Sequence, residues 1–580
     1  MLEQLRGVFK RRRPLALWHH EFYRFPLAGA ETTVGLETRR ADDALHYLLR
    51  VKAVLEAQLR TPAPVSFEDL LRVHTPAYVE SLTHPHTLAS IFALDVQEVE
   101  AETLLASIRV ACGGTLEAAR HTLATREPAL NLLGGFHHAG PGRGGGFCAV
   151  NDIAVAVARV RVEGFEGKVA VLDLDAHPSD GTAECFKNDP SVWLGSISAV
   201  TWGALEGVDE VVLLPGSPDP VYLNALEGLL RRMPKVELAF VLAGGDVIAG
   251  DRLGQLGLSL AGAQRRDLKV AEHFEGVAQV WLPAGGYGPH AWKVLAGTAL
   301  ALAWRIEQPI PPGYDPLAAR FNSVSRRLRS DALGSEPLIT EADLSEVFGH
   351  RPAGAAKLLG FYTAEGLEYA LEAYGLLPLI RRLGYGELHI AIENVGATDR
   401  ARLTGKDSRT KDPVKLVELE VERRGLAGGS FLFVNWLSLR NPRAKFSAQR
   451  PQLPGQEVPG LGLSREMSQM LGLMARRLVL DGVAFRPSWY HMAFAARHTA
   501  RFVTAARQGR FEAVARDFKS MPLLEITHAL ASGRVRLNGE PYAWEPEEMI
   551  QWLNRSEDPL ATAEIAVERE RCHFTLGDGA

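Results

Sequence analysis

Short apolar runs bounded by polar or glycine-rich turns recur through the first half of the chain, at Val169–Leu172, Glu210–Leu214, Leu238–Leu242 and Gln279–Leu282. Their length and β-branched content predict buried strands. Asp152–Val162 and Tyr222–Met233, which lie between them, read as helices. Strand, helix, strand in repetition predicts an α/β fold, with a mostly parallel sheet covered by helices on both faces. Gly244-Gly245 and Gly285-Gly286 come just after two of the strands, at the edge where such sheets place their chemistry. A further helical stretch, Trp292–Arg305, runs into Pro309, Pro311 and Pro312. Proline stops a helix and stiffens the connection beyond it. That predicts a domain boundary near residue 313, dividing the chain into residues 1–312 and 313–580.

The second half has a different rhythm. Three β-like runs, Glu387–Val395, Val414–Arg423 and Ser430–Ser438, succeed one another with little helix between them. The polar stretch Thr398–Pro413 reads as an exposed hairpin connection, and helices are predicted at Ser464–Leu480 and Tyr490–Ala506. Strands followed by helices predict a separate α+β domain with an antiparallel sheet. His491 and His498 are seven apart, beside Trp489 and Tyr490. That spacing suits a packed helix face better than a second metal site. Asn435-Trp436-Leu437-Ser438, Asn441-Pro442-Arg443 and Pro451–Gly462 read as shaped loops that name no ligand.

At 580 residues the chain exceeds a single core. Its 46% hydrophobic and 23% charged content is that of a globular protein, and a net charge of -5 gives no electrostatic reason for a nucleic-acid partner. A basic cluster, Lys10-Arg11-Arg12-Arg13, is followed after Pro14 only by the short apolar stretch Leu15–Trp18. That is too short for a signal-peptide core, so a solvated arm is expected. No run approaches the roughly 18 apolar residues of a membrane span. Cys112, Cys148, Cys185 and Cys572 are scattered without a C-x-x-C pair, which predicts a reducing, cytoplasmic setting.

The candidate chemistry begins at Asp173-Leu174-Asp175-Ala176-His177. In an extended segment residues 173, 175 and 177 share a face. Two carboxylates buried together need a cation or hydrogen-bonded partners, and an Asp-x-His pair suits Zn²⁺ or a similar divalent ion. A strand end whose aspartates cap the next helix is the alternative. His137 and His138 can serve one cavity only from a turn, which the surrounding glycines permit; a structural role is the other reading. Asp180 could orient an imidazole or cap a helix. Asp246 comes after the run Leu238–Leu242 and could supply a third ligand while leaving a position open. Tyr287, beside two glycines, could swing its hydroxyl into a cavity.

These segments, taken in order, resemble the histone deacetylase family, which includes bacterial acetoin-utilisation proteins and acetylpolyamine amidohydrolases on an arginase-like α/β fold. The resemblance runs through residues 15–305. His137-His138-Ala139 resembles the tandem-histidine motif, and Gly146-Phe147-Cys148 with Asn151-Asp152 the channel segment after it. Asp173–His177 resembles the metal motif, Gly245-Asp246 with Gly250–Gly254 the third-ligand motif, and Gly286-Tyr287 the catalytic tyrosine motif. The resemblance implies one Zn²⁺ held by Asp175, His177 and Asp246, with Asp173 orienting His137 and Asp180 orienting His138. It implies that Tyr287 donates to the substrate carbonyl, that Phe147 walls an acyl-lysine channel lined also by Gly146 and Gly286, and that Arg40 lines an inner acetate-release cavity. Ser196 and Asp173 match a structural monovalent-cation site, for K⁺. Asp95 is the nearest counterpart of the family's rim aspartate, in a segment, Phe92–Glu98, that departs from the pattern. Pro178 and Ser179 stand where the family often has a histidine and a glycine, and proline stiffens that turn. The implied activity is zinc-dependent hydrolysis of acetyl-lysine in a protein or peptide, or of a small acetylated amine such as a polyamine. A related metal hydrolase with another amide or guanidine substrate, and a non-catalytic metal-binding interaction module, are the alternatives. Nothing in the sequence specifies an oligomeric state.

Overall fold

The apolar runs of the first half become strands β1 (Ala16–Trp18), β2 (Leu59–Arg60), β3 (Ala129–Asn131), β4 (Val169–Asp173), β5 (Val192–Ser198), β6 (Val208–Val212), β7 (Leu238–Leu242) and β8 (Ala278–Leu282). They form one sheet in the order β2-β1-β3-β8-β7-β4-β5-β6, and every adjacent pair is parallel. Every residue of β4, β7 and β8 is buried, as strands covered on both faces must be. At the sheet edge β6 is only half-buried, and it spans Val208–Val212 rather than the predicted 210–214. The flanking helices start on side-chain caps: Asn151 accepts from Ala154 N at 2.9 Å ahead of Asp152–Val162, and Ser259 accepts from Gly262 N at 2.9 Å ahead of Leu260–His273. The helix predicted from Tyr222 begins at Asp219, because Pro220 is favoured in a first turn.

The chain winds outward from β4 through β5 and β6, then returns to lay β7 on the other side of β4. Winding thus reverses between β4 and β7, and a crevice at their carboxyl ends is the expected ligand position in an open parallel sheet.

The computed structural model describes residues 13–25, 37–334, 356–447, 450–554 and 562–577, in two compact units, Met1–Pro316 and Leu317–Ala580. Lys10, Arg11 and Arg12 of the basic cluster lie outside the described residues; Arg13 pairs with Glu275 at 2.6 Å. No helix among the described residues is long and apolar enough to cross a membrane.

In the second unit β9 (Tyr385–Val395), β10 (Thr398–Asp407), β11 (Pro413–Leu426) and β12 (Gly429–Leu439) form an antiparallel meander. β13 (Gly482–Phe485) then pairs parallel to β12, so the sheet is mixed rather than antiparallel throughout. The helix Ser464–Arg477 makes the crossover that a parallel pair requires. β14 (Arg501–Phe502) and β17 (Met549–Trp552) complete the order β14-β17-β13-β12-β11-β10-β9. A three-stranded sheet holds β15 (Val535–Leu537), β16 (Glu540–Tyr542) and β18 (Phe574–Leu576).

Four sequence expectations fail here. Thr398–Asp407 is a strand, not a connection: Arg400 pairs with Glu420 at 2.6 Å and Arg402 with Glu418 at 2.8 Å across it, while Ala401 and Leu403 face inward. Cross-strand ion pairs on a solvated face gave the segment a loop's composition. Asn435–Ser438 lies inside β12 rather than in a loop. The helix expected over 490–506 stops at Ala496; Arg501–Phe502 is extended, and a new helix starts at Ala505 under a Thr504 cap. His498 falls beyond the first of these helices, so it shares no helix face with His491.

Candidate active site

β4 ends at Asp173, so the extended-strand argument for a shared face stops there and the next residues bend. The bend divides the three side chains. Asp173 Oδ2 meets His137 Nδ1 at 2.7 Å, while His177 Nδ1 lies 3.0 Å from both Asp175 Oδ1 and Asp246 Oδ2. Asp175, His177 and Asp246 each offer a donor atom within 4.8 Å of the others. Each carboxylate spends its second oxygen on backbone: Asp175 Oδ2 accepts from Gly285 N at 2.6 Å and Asp246 Oδ1 from Ala176 N at 3.1 Å. A Cβ at Gly285 would stand 2.5 Å from Asp175 Oδ2 and 2.6 Å from Asp246 Oδ2, so β8's exit reaches the cluster only as glycine.

Burial and the charge of Asp175 push Asp246 up to about 7. Burial opposes a charge on His177, but its bonds to both carboxylates outweigh that and push it up to about 11. Two carboxylates gathered around one imidazole in a buried crevice favour a cation. Two oxygens and one nitrogen fit a divalent metal such as zinc.

The tandem histidines sit on a turn, as both must to share a cavity. Asp152, fully buried, accepts from Gly135 N at 3.0 Å and Phe136 N at 2.8 Å and so fixes that turn. The His137 and His138 rings lie 4.0 Å apart, and His138 Nδ1 meets Asp180 Oδ1 at 2.7 Å. A carboxylate on Nδ1 holds the proton there and leaves Nε2 as the acceptor. Burial lowers His137, but Asp173 and Asp175 prevail and push it up to about 9; burial and the charge of His137 push His138 down. Asp180 opens the helix Asp180–Phe186 without capping it. Pro178 and Ser179 leave Asp180 within reach of His138, and the Ser179 hydroxyl donates to Asp173.

Tyr287 lies with His137, Gly135, Gly146, Phe147 and Arg40 around one cavity. Burial and the two carboxylates hold the Tyr287 phenol well above its usual range, so it stays a donor. Its ring is 5.6 Å from that of Phe147. Arg40 is buried and donates to the carbonyls of Ala284, at 2.5 Å, and Gly286, at 3.5 Å. Phe147 adopts φ +65°, and Gly146 presses on His138, whose Cδ2 would lie 2.4 Å from a Cβ there. Ser196 pairs with Asp173 across β5 and β4; its Oγ is buried and without a hydrogen-bond partner among the described residues, as a small cation site would leave it. Asp95 is half-buried ahead of the short turn Val96–Glu98, and no hydrogen bond or ion pair among the described residues ties its side chain to the cluster.

Asp251, part of the Gly250–Gly254 motif but given no role by the sequence, accepts from Tyr287 N at 2.8 Å and Gly288 N at 2.9 Å, anchoring the tyrosine turn. One neighbour escaped the sequence reading. Trp202, 57% exposed, sets its ring 5.2 Å from that of His138. A tryptophan in the polar turn Thr201-Trp202-Gly203 was its available signal.

Residues 36–302 match the family model for the histone deacetylase domain. Histone deacetylase 2 of Arabidopsis thaliana is 33% identical over 269 residues, covering 43% of this chain and 67% of its own length. A probable deacetylase of Archaeoglobus fulgidus is 31% identical over 267 residues, covering 41% of this chain and 72% of its own. An uncharacterised protein of Picosynechococcus is 37% identical over 172 residues, covering 28% of this chain and about half of that protein, 55%.

Proposed function

Because this chain belongs to the histone deacetylase family, we propose that its first unit is a zinc-dependent deacetylase, hydrolysing the amide of acetyl-lysine or a related N-acyl amine. The observation that carries this reading is the cluster of Asp175, His177 and Asp246 donors beside two carboxylate-held histidines, with His137 sharing a cavity with the buried Tyr287.

Asp175, His177 and Asp246 would hold the metal, and Asp173 with Ser196 a potassium ion. Bound there, zinc supplies Lewis acidity toward the acyl carbonyl and the attacking water. His138, kept neutral and with Nε2 free, takes the water's proton and returns it to the leaving amine as the C–N bond breaks. His137, held through Nδ1 by Asp173, stands beside His138 where the carbonyl oxygen gains electrons. Tyr287 donates its hydroxyl to the same oxygen. Phe147 and Tyr287 supply aromatic walls, and the products are acetate and a free amine. The four cysteines are free, three of them buried, which accords with a reducing, cytoplasmic setting.

The test incubates the purified full chain with an acetyl-lysine peptide and, separately, an acetylated polyamine, measuring acetate and bound zinc. One zinc per chain and chelator-sensitive acetate release are expected, and the preferred substrate identifies the partner class. A zinc-loaded chain that releases acetate from neither would instead be a metal-binding interaction module. Gly285→Ala should weaken zinc retention by about 10- to 100-fold, measured by competition with a chelator, because its methyl group displaces both ligand carboxylates.

A further inference from the structure

We infer that Arg143 is a positioning residue, fixing the Asp180 carboxylate so that His138 keeps its proton on Nδ1 and turns Nε2 toward the metal-ligand cluster. The inference rests on reading the first unit as a metal-dependent deacetylase.

The two histidine-holding carboxylates are supported differently. Asp173, 1% exposed, closes a buried strand, accepts from Asp175 N at 3.1 Å and receives the Ser179 hydroxyl. The core alone immobilises it. Asp180 stands at the first residue of a short helix with its side chain 18% exposed. A carboxylate there, bonded only to an imidazole, could rotate toward water.

Arg143 closes that freedom. Its Nη2 donates to Asp180 Oδ2 at 2.9 Å while Oδ1 faces His138, so each oxygen has one task and the carboxylate plane is set. Nη1 donates to the His138 carbonyl at 3.2 Å. One guanidinium thus grips His138 at its backbone directly and at its ring through Asp180. Glu184, one turn further along the same helix, accepts from Nη2 at 2.5 Å and Nε at 3.2 Å, and orients the fork from behind. The glycine-rich turn brings the arginine there: Gly140 N donates to Arg143 O at 3.0 Å. A planar fork bonded to two carboxylates and a carbonyl is a geometry an ammonium cannot copy.

At 44% exposure Arg143 could instead grip substrate, and kinetics separates the two roles. In the zinc-loaded full chain, Arg143→Met should lower kcat about 10-fold, with KM within about twofold and zinc content unchanged. Arg143→Lys should recover part of the loss. The second readout is the downfield proton resonance of the His138–Asp180 hydrogen bond, identified by its absence in Asp180→Asn. It should shift or broaden in Arg143→Met. A raised KM with kcat intact would make Arg143 a substrate contact, and an unmoved resonance with unchanged kcat would overturn the inference outright. Should the unmutated chain release no acetate, the deacetylase reading fails, while the resonance still decides whether Arg143 orients His138.

Discussion

Asp246→Ala is expected to yield a folded chain that no longer retains zinc through dialysis and no longer releases acetate. Asp246 is fully buried, with one oxygen on Ala176 N and the other 3.0 Å from His177 Nδ1. Its removal leaves one carboxylate and one imidazole, too few protein donors for a tight catalytic zinc site. The fold should survive, because deleting one of two mutually repelling buried carboxylates offsets the small cavity left behind. Metal-free, the variant should melt close to the metal-free parent, while added zinc should raise the melting temperature of the parent alone. Asp246→Asn keeps an acceptor for Ala176 N and should lose zinc just as clearly, which isolates charge from packing. Full zinc retention in either variant would remove Asp246 from the ligand set. The same group gives a pH dependence. Metal binding needs Asp246 ionised and His177 neutral, and without metal these stand at about 7 and about 11. Binding therefore releases protons, and zinc affinity should fall as pH drops from 8 to 5.

Tyr287→Phe should behave in the opposite way, keeping its zinc and losing turnover. The substitution removes one oxygen and leaves the ring against Phe147 and the backbone bond to Asp251 in place. What goes is the hydroxyl proposed to donate to the carbonyl oxygen as charge builds there. Loss of one such donor costs about 10²- to 10³-fold in kcat, equivalent to about 2.7–4 kcal/mol. KM should change little, since the bond strengthens mainly in the transition state. Stoichiometric zinc with unaltered kcat would eliminate the tyrosine from the reaction.

The elements that carry the site are locally readable because a buried strand must be apolar and its exit must turn. Val169–Leu172 and Leu238–Leu242 accordingly match β4 and β7 to within a residue, with Asp175 and Asp246 just past each end. Which exits meet is a different matter. β7 lies against β4 although β5 and β6 intervene in sequence, and no local pattern encodes that pairing; strand position put Asp175 and Asp246 only at the same sheet edge, and the motif resemblance joined them in one ligand set. The role of Asp251, and Trp202 altogether, stayed hidden for the same reason, since each acts by reaching across to another loop. In the second unit the errors arise where solvation disguises an element. The ion-paired face of β10 has a loop's composition, and apolar periodicity over 490–506 masked the cap signal at Thr504.

The return of β7 to the side of β4 also sets the order in which this molecule can be built. Ala176 and Asp246 are 70 positions apart, and Asp175 and Gly285 are 110 apart; both contacts close only when the centre of the sheet is assembled. Contacts distant in sequence form only after the intervening chain has closed, so a metal held by Asp175, His177 and Asp246 would find its donors together only once the sheet centre has formed, unlike a zinc finger, whose folding and metal binding are one event. Such a metal would enter a site that the polypeptide has already built.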